Sequence, residues 1–147
     1  TASEDPLCVW SGNVNVAIGV AAQGTAIGTG FANTQAAVAQ SNTSGRAITA
    51  AWDYSNNGKT DWYLPSRAEL NELCKYARQQ ASNTGTCDAS GALRNGFTIQ
   101  SLSAGSYYYA HSLERNATDI WLQDFRSGSD GYDLKSNSNL VRPIRAF

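Results

Sequence analysis

The period of the apolar positions changes along the chain, and the change divides it into a helical half and a strand-rich half. In the stretch DWYLPSRAELNELCKYARQQ, Leu70, Leu73, Cys74 and Ala77 recur at the spacing that lines one side of a helix. Ser66 is followed three residues later by Glu69, a pairing in which each side chain satisfies the other's free backbone donor, and Pro65 stands just outside. A helix is therefore expected over about Arg67–Gln80. Two shorter helices are expected upstream: one over TQAAVAQ, capped by Asn33, and one after Ser44 that places Ala47, Ile48, Ala51 and Trp52 on one face. The segment NVNVAIGVAAQGTAIGTG alternates briefly and is broken by glycines, which reads as loop with short strands. Asn57 and Gly58 mark a turn.

Beyond a turn-rich excursion (ASNTGTCDASGALRNG), Phe97–Leu102 reads as a short strand, and from Tyr107 the pattern becomes a meander. Its runs are YYYAHSL, DIWLQDF, GYDLKS and LVRPIRAF, separated by Asn, Gly, Ser and Asp clusters. Helices first and antiparallel strands afterwards predict an α+β domain, and 147 residues fit a single domain spanning 1–147.

Composition narrows the function classes. Charged residues make up 16% and the net charge is -1, with Lys and Arg scattered, so neither nucleic acid nor an anionic membrane is an expected partner. No apolar run approaches the roughly 20 residues that span a bilayer. The low charge and abundant small polar residues fit an exported domain whose signal has been removed, located outside the cell or on its surface. Of the three cysteines, Cys74 and Cys87 lie close in sequence, and a bridge between them is expected, with a loop of about 13 residues worth about 3 kcal/mol. Three buried, reduced thiols are the alternative. Cys8 is left over in the first case, whether buried, paired between chains or bonded to a segment not present here.

Candidate chemistry is sparse. His111 is the single histidine, and a lone histidine in a strand-rich segment is more often structural or exposed than catalytic. No nucleophile motif accompanies it, and one histidine with scattered cysteines does not make a zinc site. Asp119, Asp124, Asp130 and Asp133 could offer hard oxygen ligands to calcium, but their spacing fits no EF-hand and solvated carboxylates are the expected reading. Neither metal nor cofactor is expected, and no enzymatic activity.

A recognition surface is the remaining possibility. Aromatic residues (Tyr107, Tyr108, Trp121, Phe125, Tyr132) supply rigid contact area, and Arg115, Arg126 and Lys135 supply donors for sulfate or carboxylate groups. Alternation buries Ile120, Leu122 and at least one of Trp121 and Phe125 in the core, and Trp62 and Leu64 are expected there too. The expected ligand-facing set is Tyr107, Tyr108, Arg126, Asp130, Tyr132 and Lys135.

The motifs TAIGTGFANT, GKTDWYLPSRAELNEL, IWLQDFRSG and KSNSNLVRPIRAF, in this order and spacing, resemble the Lcl C-terminal domain family, named for the collagen-like adhesin of Legionella. The resemblance spans nearly the whole chain. It implies a C-type-lectin-like fold, adhesion without catalysis, sulfated polysaccharide as a ligand class and a trimeric assembly. YAHSLE, from Tyr109 to Glu114, stands where the family pattern has Tyr-Trp-Ser-Ser-Ser-Glu; only Tyr109, Ser112 and Glu114 match, so roles tied to the missing Trp and serines do not carry over. The family's glycine-rich first strand precedes the point at which this chain begins. LVRPIRAF would then present an uncovered edge, filled by Val14–Val20 or another local segment, or by a strand added from another chain or a cleaved segment.

Three functions follow as expectations. The first is an adhesin module for a glycan or a cell-surface protein, and the second a homo-oligomeric filament subunit built by strand addition. The third is a retroelement-diversified display protein, to which the Asn, Asp, Tyr and Ser crowding of residues 127–139 would belong.

Overall fold

The computed structural model describes residues 5–99 and 108–146. The elements run β1 (Leu7–Val9), a 3-10 turn (Val20–Ala22), α1 (Gly30–Gln40), α2 (Ala47–Trp52), α3 (Arg67–Ala77), β2 (Tyr108–Glu114), β3 (Asp119–Asp124), β4 (Asp130–Leu134) and β5 (Ser138–Leu140). Among the described residues this is an α+β domain with three α-helices and a five-stranded mixed sheet of order β1-β5-β2-β3-β4. The β1–β5, β2–β3 and β3–β4 pairs are antiparallel, and β2 runs parallel to β5.

Helix α3 begins where its capping box predicts. Ser66 Oγ accepts from Glu69 N at 3.3 Å while Glu69 Oε2 accepts from Ser66 N at 2.7 Å. It ends at Ala77, short of the expected Gln80, because Gln79 adopts φ 58°. Gln80 N then donates to Lys75 O and Gln79 N to Tyr76 O, the paired bonds of a Schellman stop. Helix α1 starts at Gly30, not after Asn33. Asn33 is buried inside the helix and pins a loop, with its side chain bonded to Gly24 N, Gly24 O and Ser112 Oγ. A Cβ on Gly30 would stand 2.3 Å from Glu69 Oε2 and 2.7 Å from Leu64 O, so only glycine lets α1 start against the head of α3.

The sheet is covered on both faces. Ala37 of α1 and Ala47, Ile48 and Ala51 of α2 pack with Ala110, Ile120 and Leu122 in one cluster. Leu70 and Cys74 of α3 pack with Tyr109, Phe125 and Leu140 in the other. The expected Cys74–Cys87 disulfide lies in this second cluster, with its Cα atoms 6.0 Å apart, and leaves Cys8 free.

Two strand expectations fail at the carboxyl end. LVRPIRAF is not a strand beyond Leu140: Pro143 has no N–H to donate, and the tail instead makes one bridge, Ile144 with Tyr63. Nor is the last strand uncovered, since β5 lies between β1 and β2 of the same chain. Leu7–Val9, rather than Val14–Val20, fills the position beside it, which removes the reason for strand addition there. Phe97–Ile99 is not strand; the rest of that expected strand lies outside the described residues.

Candidate functional site

Alternation along β3 sends Ile120 and Leu122 toward α1 and α2 and Trp121 to the opposite face, beyond the reach of α3's core contacts. Directly across the ladder from Trp121 stands Tyr132 of β4, the two rings edge-on with centroids 6.4 Å apart. Tyr132 is 60% exposed, so its ring is open to a ligand from solvent. Two guanidinium groups rest on these rings. Arg67 lies 5.1 Å from the Trp121 centroid, and Arg115 lies 4.0 Å from Tyr132 and 5.8 Å from Trp121.

Each arginine is held in place by a carboxylate. Arg67 donates Nε and Nη2 to Asp130 Oδ2 at 2.8 and 2.6 Å, and Arg115 donates Nη1 to Asp119 Oδ2 at 2.9 Å. Asn116, Thr118 and Arg115 hold the Asp119 carboxyl below the usual carboxylate range. Arg67 occupies the first position of α3, where the helix dipole disfavours a cation, and Asp130 supplies the missing anion. An open cleft of about 340 Å³ beside this pair is lined by Thr25, Arg67, Ala68, Asn71, Thr86 and Asp130. The disulfide anchors that rim, because Cys87 N donates to Asn71 Oδ1 at 2.8 Å.

His111 lies beneath, fully buried, with Nε2 3.9 Å from Asp130 Oδ1 and no hydrogen-bond partner for either ring nitrogen among the described residues. Burial, reinforced by nearby Arg67, pushes its pKa down to about 3, so the imidazole is neutral and screened from solvent. The carboxylates considered for calcium are dispersed: Asp124 closes the turn onto Arg126 N and Ser127, Asp133 binds Asn137 and Asn139, and Asp119 and Asp130 hold the arginines. Among the described residues no three acidic, histidine or cysteine side chains gather as a metal site would require.

Of the expected ligand-facing residues, the structure brings Asp130 and Tyr132 together on this face. Lys135 must be moved to the interior. It is fully buried, its Nζ 2.6 Å from the equally buried Glu114, whose carboxylate also accepts from Ile18 N and Gly19 N. Tyr108 is half-buried against the α1–α2 cluster and lines an open groove of about 540 Å³ with Leu122, Gly131, Asp133 and Asn139, a groove that Tyr132 also borders. Arg126 is exposed in the β3–β4 turn, its carbonyl bonded to Arg78. Tyr107 lies outside the described residues. The residues missing from the expected set are Trp121, Arg115 and Arg67. Trp121 sits out of phase with Ile120 and Leu122, a signal that period-two alternation does carry; Arg67 gives none beyond its place at a helix start. Trp62, expected in the core, is only half-buried, its indole N–H donating to Lys59 O at 3.0 Å.

The model of the Lcl C-terminal domain matches residues 5–145. The chain belongs to this family. The Lcl C-terminal domain is an adhesin-type family, which agrees with a binding role and points to the cell surface or exterior. No helix among the described residues is long and apolar enough to cross a membrane. No curated protein and no solved structure matches the chain.

Proposed function

We propose that this Lcl C-terminal domain is an extracellular, non-enzymatic adhesion module of C-type-lectin-like fold that binds glycan chains, sulfated polysaccharide included, through the open end of the sheet face around Trp121 and Tyr132. The observation that carries the reading is the exposed Tyr132 ring set edge-on to Trp121 between two arginines. Sugar C–H faces stack on such rings, and guanidinium forks donate to sulfate or carboxylate oxygens. Both arginines already hold a carboxylate and the net charge is -1, so an anionic ligand competes with Asp130 and Asp119 and its binding weakens steeply with salt. The antiparallel closure of β1 on β5 supports the lectin-like reading of the fold, in which first and last strands pair.

A panel of immobilised glycans, with sulfated and desulfated forms of each polysaccharide, tests the reading. Wild-type protein binds members of the panel, and Trp121→Ala and Tyr132→Ala each weaken binding by up to about tenfold, the worth of one aromatic contact, while far-UV circular dichroism is unchanged. Absence of binding to every member, or equal binding by folded variants, would count against it.

A further inference from the structure

A second aromatic site lies away from this face. Phe31 at the start of α1, Trp52 at the end of α2 and Trp62 in the segment leading to α3 line a cleft of about 240 Å³ together with Thr60 and Asp61. The rings are mutually braced: Phe31 and Trp52 have centroids 5.2 Å apart, Phe31 packs edge-on to Tyr63 at 5.7 Å, and Trp62 packs edge-on to Tyr54 at 5.0 Å. The indole of Trp62 is fixed by its bond to Lys59 O, and the backbone on either side is tied by the Asn56–Lys59 and Tyr63–Ile144 bridges. Phe31 is nonetheless 41% exposed and Tyr54 38%, so these rings do not complete a core. At the polar end Arg145 donates Nε and Nη2 to the two oxygens of Asp61 at 2.9 and 2.8 Å. Arg145 holds the Asp61 carboxyl below its ordinary range.

We infer that this cleft is a subsite for one neutral hexopyranose residue. Its volume falls below the roughly 300 Å³ at which drug-sized pockets begin, which suits a single ring. The aromatic walls match the C–H face of a sugar, the half-exposed Asp61 carboxylate, held by Arg145, offers acceptors to sugar hydroxyl groups, and the Thr60 hydroxyl can donate or accept. The local charge decides against the other classes. Asp61 is paired by a two-point bond to Arg145, so a quaternary ammonium gains little from it beyond the rings, and a sulfate meets one guanidinium, its Nε and Nη2 both taken, where the Trp121–Tyr132 face has two. A purely apolar group would cover the ion pair without offering it a hydrogen bond. The cleft shares no residue with the Trp121–Tyr132 face, so either site can fail without the other.

The four tryptophans provide the test, because Trp52 and Trp62 report the cleft, Trp121 the sheet face and buried Trp10 the core. Indole N–H signals of the ¹⁵N-labelled chain, assigned through single Trp→Phe variants, are followed during titration with methyl glycosides of glucose, galactose, mannose and N-acetylglucosamine. At least one glycoside moves the Trp52 and Trp62 signals saturably in the millimolar range and leaves Trp10 and Trp121 in place. Asp61→Asn weakens that response about tenfold, with the Trp10 signal showing that the fold persists. The inference is overturned by no saturable shift with any glycoside, by movement of Trp121 alone, by tetramethylammonium binding more tightly than every glycoside, or by a folded Asp61→Asn protein with unchanged affinity.

Discussion

Replacing Lys135 by Met separates an interior lysine from a ligand-binding one. Methionine keeps most of the apolar stem and removes the ammonium that lies 2.6 Å from Glu114 and 5.3 Å from the Trp10 ring centroid. Glu114 is then left as a carboxylate with no accessible surface, held by Ile18 N and Gly19 N alone. Breaking a buried pair from one side costs about 3–5 kcal/mol, because the remaining charge has lost its counter-ion without regaining water. Against a total stability of about 5–15 kcal/mol, that is a large fraction. Urea denaturation followed by tryptophan fluorescence measures it directly, and the melting temperature falls by about 10 °C or more. Adding Glu114→Gln removes the stranded charge, so the double variant recovers part of the loss, and the cycle gives a coupling energy of about 2 kcal/mol or more. A loss below about 1 kcal/mol, accompanied by weaker glycan binding, would refute the interior assignment and restore Lys135 to the recognition surface.

Reduction of Cys74–Cys87, or its replacement by two alanines, lowers stability by about 3 kcal/mol in denaturation experiments and loosens the rim carrying Thr86; an unchanged urea midpoint would contradict this. His111 sets a pH dependence with a definite sign. Its folded pKa of about 3 lies below the ordinary value of 6.5, so between these limits the unfolded chain binds a proton the native protein does not. The histidine's contribution is intact above pH 6.5 and is lost on acidification, by about 1.4 kcal/mol per pH unit. His111→Phe flattens stability against pH between about pH 6 and 4.5, and an identical slope in that variant would show that the imidazole is not buried neutral.

The parts legible in the sequence were those that local rules decide. The Ser66–Glu69 box fixed the head of α3, the apolar alternation of DIWLQDF placed Ile120 and Leu122 together in the core, and proximity singled out Cys74 and Cys87. Long-range pairings were not legible. Lys135 looks like a surface lysine until Glu114, which lies 21 residues away in sequence, is folded against it. Asn33 carries the chemistry of a helix cap, but Gly24 and Ser112 claim its amide, and the helix begins at a glycine chosen for close approach. Pro143 signals that the tail cannot continue a ladder, yet only the assembled sheet shows Leu7–Val9 beside Ser138–Leu140. The candidate site was half-visible for the same reason: Tyr132 and Asp130 stand out locally, whereas Arg67 reaches Trp121 from a different element.

Hydroxyl-radical footprinting of the protein saturated with its best-binding polysaccharide tests the adhesion surface most directly. Oxidation of Trp121 and Tyr132 should fall on binding, while Tyr76, which is exposed on α3, stays as reactive as in the free protein. Unchanged oxidation of both sheet-face rings in a saturated complex would place the glycan elsewhere and contradict the account.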